Sequence, residues 1–70
     1  MQGEYRTGLA LIERGRVTKA ENGRYNVKSL DRDKITAEGI RDMHGSTRNV
    51  GDNVYFFLFE DGKGAILGGI

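Results

Sequence analysis

Short apolar runs separated by glycine-containing turns divide this chain, and the longest run lies near its C-terminal end. Residues 54–59 are six consecutive large apolar or aromatic residues. Such a run is too short to span a bilayer and has the right length for one buried strand. Asp61-Gly62 follows as a turn pair, and residues 65–70 form a second apolar run. The pattern predicts a β-hairpin around which the rest of the chain is organised.

The preceding part of the chain also predicts strands. Asn22-Gly23 lies between two strand-like runs and indicates a type I′ hairpin turn, because both residues accept positive φ. Residues 31–34 form a polar turn, and two alternating faces resume after it. The alternation is interrupted at Gly39, where we expect a bulge. A helix over residues 37–43 is the alternative for this part. The predicted strands span residues 16–20, 24–30, 34–42, 53–60 and 64–69.

The N-terminal segment, residues 1–15, supports two interpretations. Tyr5, Leu9 and Ile12 share one face of a helix, whereas the residues around Leu9 also alternate as in a strand. We predict a short helix or an irregular arm that ends at Gly15 as a C-terminal cap. Such an arm is suited to pack on the barrel of its own chain or on a neighbouring subunit.

Five short strands in one small domain predict an all-β fold, a five-stranded OB-like or SH3-like barrel over residues 16–70. Closure of the barrel removes strand edges that so apolar a strand cannot safely expose. The sequence leaves the strand order open between the OB and SH3-like forms.

The central strand has bulky side chains on both faces, and a small barrel can bury only one set. We expect the inward set to be Val54, Phe56 and Leu58, and the sequence leaves open the reverse orientation, which a bulge near Asn53 would produce. The outward set, predicted to form a partner interface, is Tyr55, Phe57 and Phe59. Three covers are open for this outward set: another subunit, the N-terminal arm or a ligand. We favour another subunit.

Composition limits the remaining functions. The chain has 70 residues, no Cys and one His, so the sequence predicts no disulfide and no thiolate metal site. Its net charge of +1 argues against a dedicated nucleic-acid-binding protein. Residues 1–48 carry a net charge of +3 and residues 49–70 carry −2. This asymmetry is either a chance imbalance or a means for identical copies to meet head to tail.

No secretory leader is apparent, because the apolar run at residues 9–12 is shorter than the central region of a signal peptide. No stretch has the length of a transmembrane segment. We therefore expect a protein that is located in the cytoplasm and is not inserted into a membrane.

Candidate catalytic and ligand-binding groups are sparse. His44 lies near Asp42 and Ser46, but the members of a catalytic triad normally come from separate elements. Asp31 and Asp33 flank a basic residue and favour a turn over a metal site.

Residues 62–64, Gly-Lys-Gly, lack the spacing of a phosphate-binding loop and predict a hairpin turn. We therefore expect no enzymatic activity, no metal and no cofactor.

A nucleic-acid-binding OB module is the alternative function. OB barrels bind single strands by stacking bases on aromatic side chains beside a basic groove. The candidate residues for this face are Arg24, Tyr25, Lys28 and Tyr55. The aromatic hairpin is also the acidic part of the chain, which disfavours phosphate binding there.

One pattern in the C-terminal half recurs in a known family. It consists of Val50-Gly51-Asp52 before an apolar strand, Asp61-Gly62 at a turn, and Ile66-Leu67-Gly68 after a second apolar strand. With Gly15-Arg16-Val17 and Asn22-Gly23, it resembles the small OB domains of bacteriophage tail and baseplate proteins over residues 15–70. Those proteins include contractile-tail spike proteins and prophage relatives.

The resemblance implies a structural module without catalysis that assembles as a ring or trimer with other protein subunits or with itself. It also implies a location in the host cytoplasm and in a virion or tail-like particle. No needle, β-helix or peptidase follows Ile70, so we expect an adaptor or connector and not a piercing tip.

Overall fold

A computed structural model describes residues 11–70 as a barrel of five strands. The strands are β1 (Ile12–Glu21), β2 (Arg24–Ser29), β3 (Thr36–Asp42), β4 (Asn53–Leu58) and β5 (Gly64–Gly69). The described residues contain no helix, and therefore none that could cross a membrane. The predicted all-β class and the number of strands are confirmed, and so is the preference for a strand over a helix at residues 37–42.

The sheet closes in the order β1-β2-β3-β5-β4. Neighbouring strands are antiparallel except β3 and β5, which pair in parallel at Arg41↔Ala65 and Asp42↔Ile66. β1 pairs with β2 on one side and with β4 on the other, so this strand closes the barrel. The result is a small OB/SH3-like barrel, and its crossed strand order fits the Greek-key description of OB folds.

The core is one cluster of apolar side chains inside the barrel. Its members are Val17, Tyr25, Val27, Ala37, Ile40, Val54, Phe56 and Ile66. Leu58 is partly buried and packs against this cluster. The predicted inward face of β4 is therefore confirmed.

Two backbone predictions are also confirmed. Asn22 and Gly23 have φ values of 54° and 76°, as the hairpin turn requires. The β2–β3 pairing shifts register between Tyr25 and Val27, opposite an extra residue in β3 at Gly39. Gly39 has φ of 67°, and its N–H donates to Asn26 Oδ1 at 2.9 Å.

The first strand begins earlier than expected. Residues 12–15 belong to β1 and not to an arm, and Gly15 is a buried strand residue, so its predicted role as a helix cap was wrong. The inward positions of this segment are Glu13, Gly15 and Val17. Two of the three are not apolar, which hides the alternation in the sequence. Tyr5 and Leu9, on which the helical interpretation rested, lie outside the described residues.

Candidate protein-interaction face

The outer surface of β4 and its neighbours carries a cluster of exposed apolar side chains, here called the β4 face. Its residues are Ile12, Leu30, Tyr55, Phe57 and Phe59. Ile12 pairs with Phe57, which pairs in turn with Ala65 across β1, β4 and β5. The next outward row places Arg14 beside Tyr55, and Leu30 N–H donates to Arg14 O at 2.8 Å. Strand pairing therefore brings residues from three separate segments onto one surface.

Much of this cluster is open to solvent. The exposed fractions are 68% for Ile12, 48% for Leu30 and 42% for Tyr55. Phe57 and Phe59 are half-buried, and their rings pack edge to face with centroids 5.3 Å apart. Contiguous apolar surface of this kind, bordered by polar groups, is typical of a protein-interaction site. The three predicted interface residues thus lie together on the surface, joined by β1 residues that the sequence did not indicate.

One ion pair lies within the β4 face. Arg14 Nη2 and Nε donate to Asp31 Oδ1 at 2.6 and 3.1 Å, and the Arg14 backbone N–H donates to Asp31 Oδ2 at 2.7 Å. These hydrogen bonds from Arg14 hold the pKa of Asp31 below its usual value, and Asp31 raises the pKa of Arg14. The charge of Arg14 is therefore already matched inside the chain.

A second ion pair joins Glu13, on the inner side of β1, to Arg32 in the β2–β3 loop. Glu13 is 3% exposed and accepts from Arg32 Nε at 2.9 Å and Nη2 at 2.6 Å. Ser29 Oγ donates to Glu13 Oε1 at 2.7 Å. Burial acts to raise the pKa of Glu13, but the hydrogen bonds from Arg32 and Ser29 outweigh it and lower the pKa. Together the two pairs join the start of β1 to the β2–β3 loop.

This arrangement leaves a trace in the sequence. Glu13-Arg14 and Asp31-Arg32 are two acid–base dipeptides, and each acid pairs with the base of the other. The correspondence becomes visible only when the register of β1 is known, because the sequence separation gives no indication of contact. Asp31 thus serves in an ion pair at the loop, consistent with the predicted turn.

The border of the β4 face carries charges of opposite sign at its two ends. Arg16 and Lys28 pair across β1 and β2 at the end of the face where β4 begins. Arg16 Nε donates to Asn53 Oδ1 at 3.2 Å. Glu60 and Asp61 lie in the β4–β5 turn, beyond the other end of β4. None of these four charged side chains forms an ion pair within residues 11–70.

A separate polar network fixes the β3–β4 loop. Arg48 Nε donates to Asp42 Oδ2 at 2.7 Å, and Asp42 Oδ1 accepts from the backbone N–H groups of His44 and Ser46 at 2.9 and 3.1 Å. Burial raises the pKa of Asp42, but the hydrogen bond from Arg48, followed by those of the two N–H groups, lowers it overall. Asp42 therefore does not orient the His44 ring as a catalytic triad would require.

The predicted nucleic-acid face does not form as a unit. Tyr25 is 5% exposed, and its hydroxyl accepts from Arg48 N–H at 3.0 Å. Its ring belongs to the core because the residue shares the inward side of β2 with Val27, so it offers no platform for stacking a base. Tyr55 is separated from β2 by β1. Arg24 and Lys28 remain exposed on β2, and of these two only Lys28 lies at the border of the face that carries Tyr55.

A different basic groove lies between β3 and the β4–β5 turn. It has a volume of about 380 Å³ and is lined by Arg24, Arg41 and Lys63 together with Glu38 and Gly62. Gly62 has φ of 90°, as expected for the predicted hairpin turn. Within residues 11–70, no group of three or more acidic, His or Cys side chains is placed to hold a metal ion.

Comparison with known proteins gave no relative. No protein-family model, no curated protein and no solved structure matches the chain. The likeness to bacteriophage tail domains therefore stays a prediction from sequence pattern.

Proposed function

We propose that this protein is a non-enzymatic assembly module that acts through protein–protein contacts made by the β4 face. One observation carries the proposal. The barrel core is complete without Ile12, Tyr55, Phe57 and Phe59, yet these side chains lie side by side on the outside. Their burial by another protein removes apolar surface from water, which favours assembly.

The setting that we propose is a bacteriophage or prophage tail or baseplate, with assembly in the host cytoplasm and incorporation into a tail-like particle. The support is the resemblance of residues 15–70 to small OB domains of such tails. The role that we propose there is an adaptor or connector between larger subunits.

A nucleic-acid-binding module is the second candidate, and the groove lined by Arg24, Arg41 and Lys63 is the observation that favours it. Phosphate contacts there need no aromatic platform. Burial of Tyr25 argues against the base stacking by which OB barrels hold single strands, so we rank this function below assembly.

The test co-expresses the full chain with the proteins encoded beside its gene and measures complexes by native mass spectrometry. We expect an assembly, of identical or different chains, that is lost in Ile12→Ser/Tyr55→Ser. The matched control is Val50→Ser, because Val50 is 63% exposed against 68% for Ile12 and lies in the β3–β4 loop. An assembly insensitive to the β4 face, or none at all, would overturn the proposal.

A titration with labelled single-stranded DNA at low salt separates the two functions. We expect no binding in the micromolar range. Micromolar affinity that falls steeply with added salt would favour the second candidate.

A further inference from the structure

We infer that the partner that covers the β4 face is a second copy of this chain, in an antiparallel pair related by a two-fold axis. This inference rests on the proposed function, and it names the partner and the arrangement. A surface that meets the same surface of an identical chain must be related to it by a two-fold axis.

The charges at the border of the β4 face favour a second copy over an unrelated protein. Arg16 and Lys28 lie at one end of the apolar cluster, and Glu60 and Asp61 lie at the other. Lys63 lies in the same turn as Glu60 and Asp61, so the border carries two positive charges at one end and a net charge of −1 at the other. When a second copy turns end for end over the first, the basic end of each copy meets the acidic end of the other. The surface is thus complementary to itself in charge as well as in apolar character.

The ion pair inside the β4 face is consistent with burial by another chain. Burying an unpaired charge carries a large desolvation penalty, whereas a charge that is already hydrogen-bonded to a counter-ion loses less on leaving water. Arg14 is held by three hydrogen bonds to Asp31, as given above. A second copy therefore does not need to supply a carboxylate at the centre of the contact, and apolar contact there suffices.

The arrangement makes a specific prediction about charge reversal. In a pair of Arg16→Glu/Lys28→Glu chains, each of the two end contacts brings together four acidic side chains. In a pair of Glu60→Lys/Asp61→Lys chains, each end contact brings together four basic side chains. Each variant alone repels its own copy. A mixture of the two variants restores both contacts. In a mixed pair, each end contact joins an acidic end of one variant to a basic end of the other.

The experiment is sedimentation velocity on the full chain from micromolar to millimolar concentration. We expect a dimer for the natural chain, dissociation constants raised at least about tenfold for each charge variant alone, and recovery to within about threefold in the mixture. Lys19→Glu/Arg41→Glu is the control, because it makes the same change in net charge outside the β4 face. Circular dichroism confirms that each variant is folded.

Several results would overturn the inference. These are a monomer at all concentrations, a trimer or larger ring, a dimer indifferent to charge reversal, and a mixture that fails to recover. If the isolated chain is monomeric but the co-expressed assembly still requires the β4 face, the assembly function stands and the identical partner is excluded. If no assembly of any kind depends on the β4 face, the assembly function itself fails.

Discussion

The ring of Phe56 lies against the backbone of Gly15, so closely that a β-carbon on Gly15 would fall 2.7 Å from Phe56 Cε1. The same β-carbon would also overlap Val27. Glycine at this position lets β1 approach the centre of the barrel while it pairs with β2 and β4. Phe56, the largest fully buried side chain, therefore fills space that the missing side chain of Gly15 leaves free.

Gly15→Ala is expected to lower the free energy of unfolding by about 1–3 kcal/mol, because the added methyl group overpacks the core. Urea denaturation of the variant and the natural chain measures the difference. Gly68→Ala is the matched control, since a β-carbon there would meet nothing within 4 Å. Equal effects of the two substitutions would contradict the close contact with Phe56.

Asp42→Asn is expected to cost about 3–5 kcal/mol, because it leaves Arg48 without its counter-ion at a site where both side chains are largely buried. Tyr25→Phe removes the hydroxyl that accepts from Arg48 N–H and is expected to cost only about 1 kcal/mol. Thermal unfolding followed by circular dichroism ranks the two. A smaller loss for Asp42→Asn than for Tyr25→Phe would show that the ion pair does not hold the loop.

Acidification is expected to destabilise the protein. Glu13 and Asp42 have lowered pKa values when folded, so their contribution to stability is complete above the carboxyl pKa values of the unfolded chain. It is lost as the pH falls through the lower pKa values of the folded state. The free energy of unfolding should therefore stay level from pH 7 to about pH 5 and fall below about pH 4.

Glu13→Gln tests the source of this pH dependence. The variant should be less stable at neutral pH and should lose less additional stability on acidification, because one of the two carboxylates no longer titrates. Chemical denaturation at a series of pH values gives both quantities. An acid dependence as steep as that of the natural chain would exclude Glu13 as a contributor.

Lys34 adopts φ of 64°, a conformation that costs a residue with a side chain roughly 1–2 kcal/mol. Lys34→Gly removes this strain but adds freedom to the unfolded chain, which offsets about 0.4–1 kcal/mol. We expect a net gain in the free energy of unfolding of about 0–1.5 kcal/mol. Lys28→Gly, at an exposed strand position, should instead be destabilising, and a loss in both variants would contradict the assignment of strain to Lys34.

The parts of the fold that depend on local pattern could be predicted from the sequence. The run at residues 54–59 indicated the strand and its two alternating faces, and Asn22-Gly23 indicated the first turn. The start of β1 escaped prediction because its inward residues are an ion-paired Glu13 and a Gly15 that makes room for Phe56. Neither residue type can be explained from its neighbours in the sequence. The partners of Glu13 lie in β2 and the β2–β3 loop, and Gly15 makes room for a side chain of β4.

The interaction face was predicted only in part for the same reason. Tyr55, Phe57 and Phe59 follow from alternation along one strand. Ile12 joins them only through the register of β1 with β4, and Leu30 only through its backbone hydrogen bond to Arg14 of β1. Tyr25 had been assigned to a nucleic-acid face by its basic sequence neighbours, although alternation along β2 already placed it on the same side as Val27.

The double pairing of β1 also affects how the chain is made. β1 meets β4 across about 40 residues of intervening sequence, and β3 meets β5 only after β4 is complete. Contacts this distant are slow to form, because the loop must be ordered before pairing stabilises it. A nascent chain that has not reached Asn53 therefore has at most an open three-stranded sheet, with β1 at one edge and β3 at the other. The hairpin of β4 and β5, made after them, covers both edges.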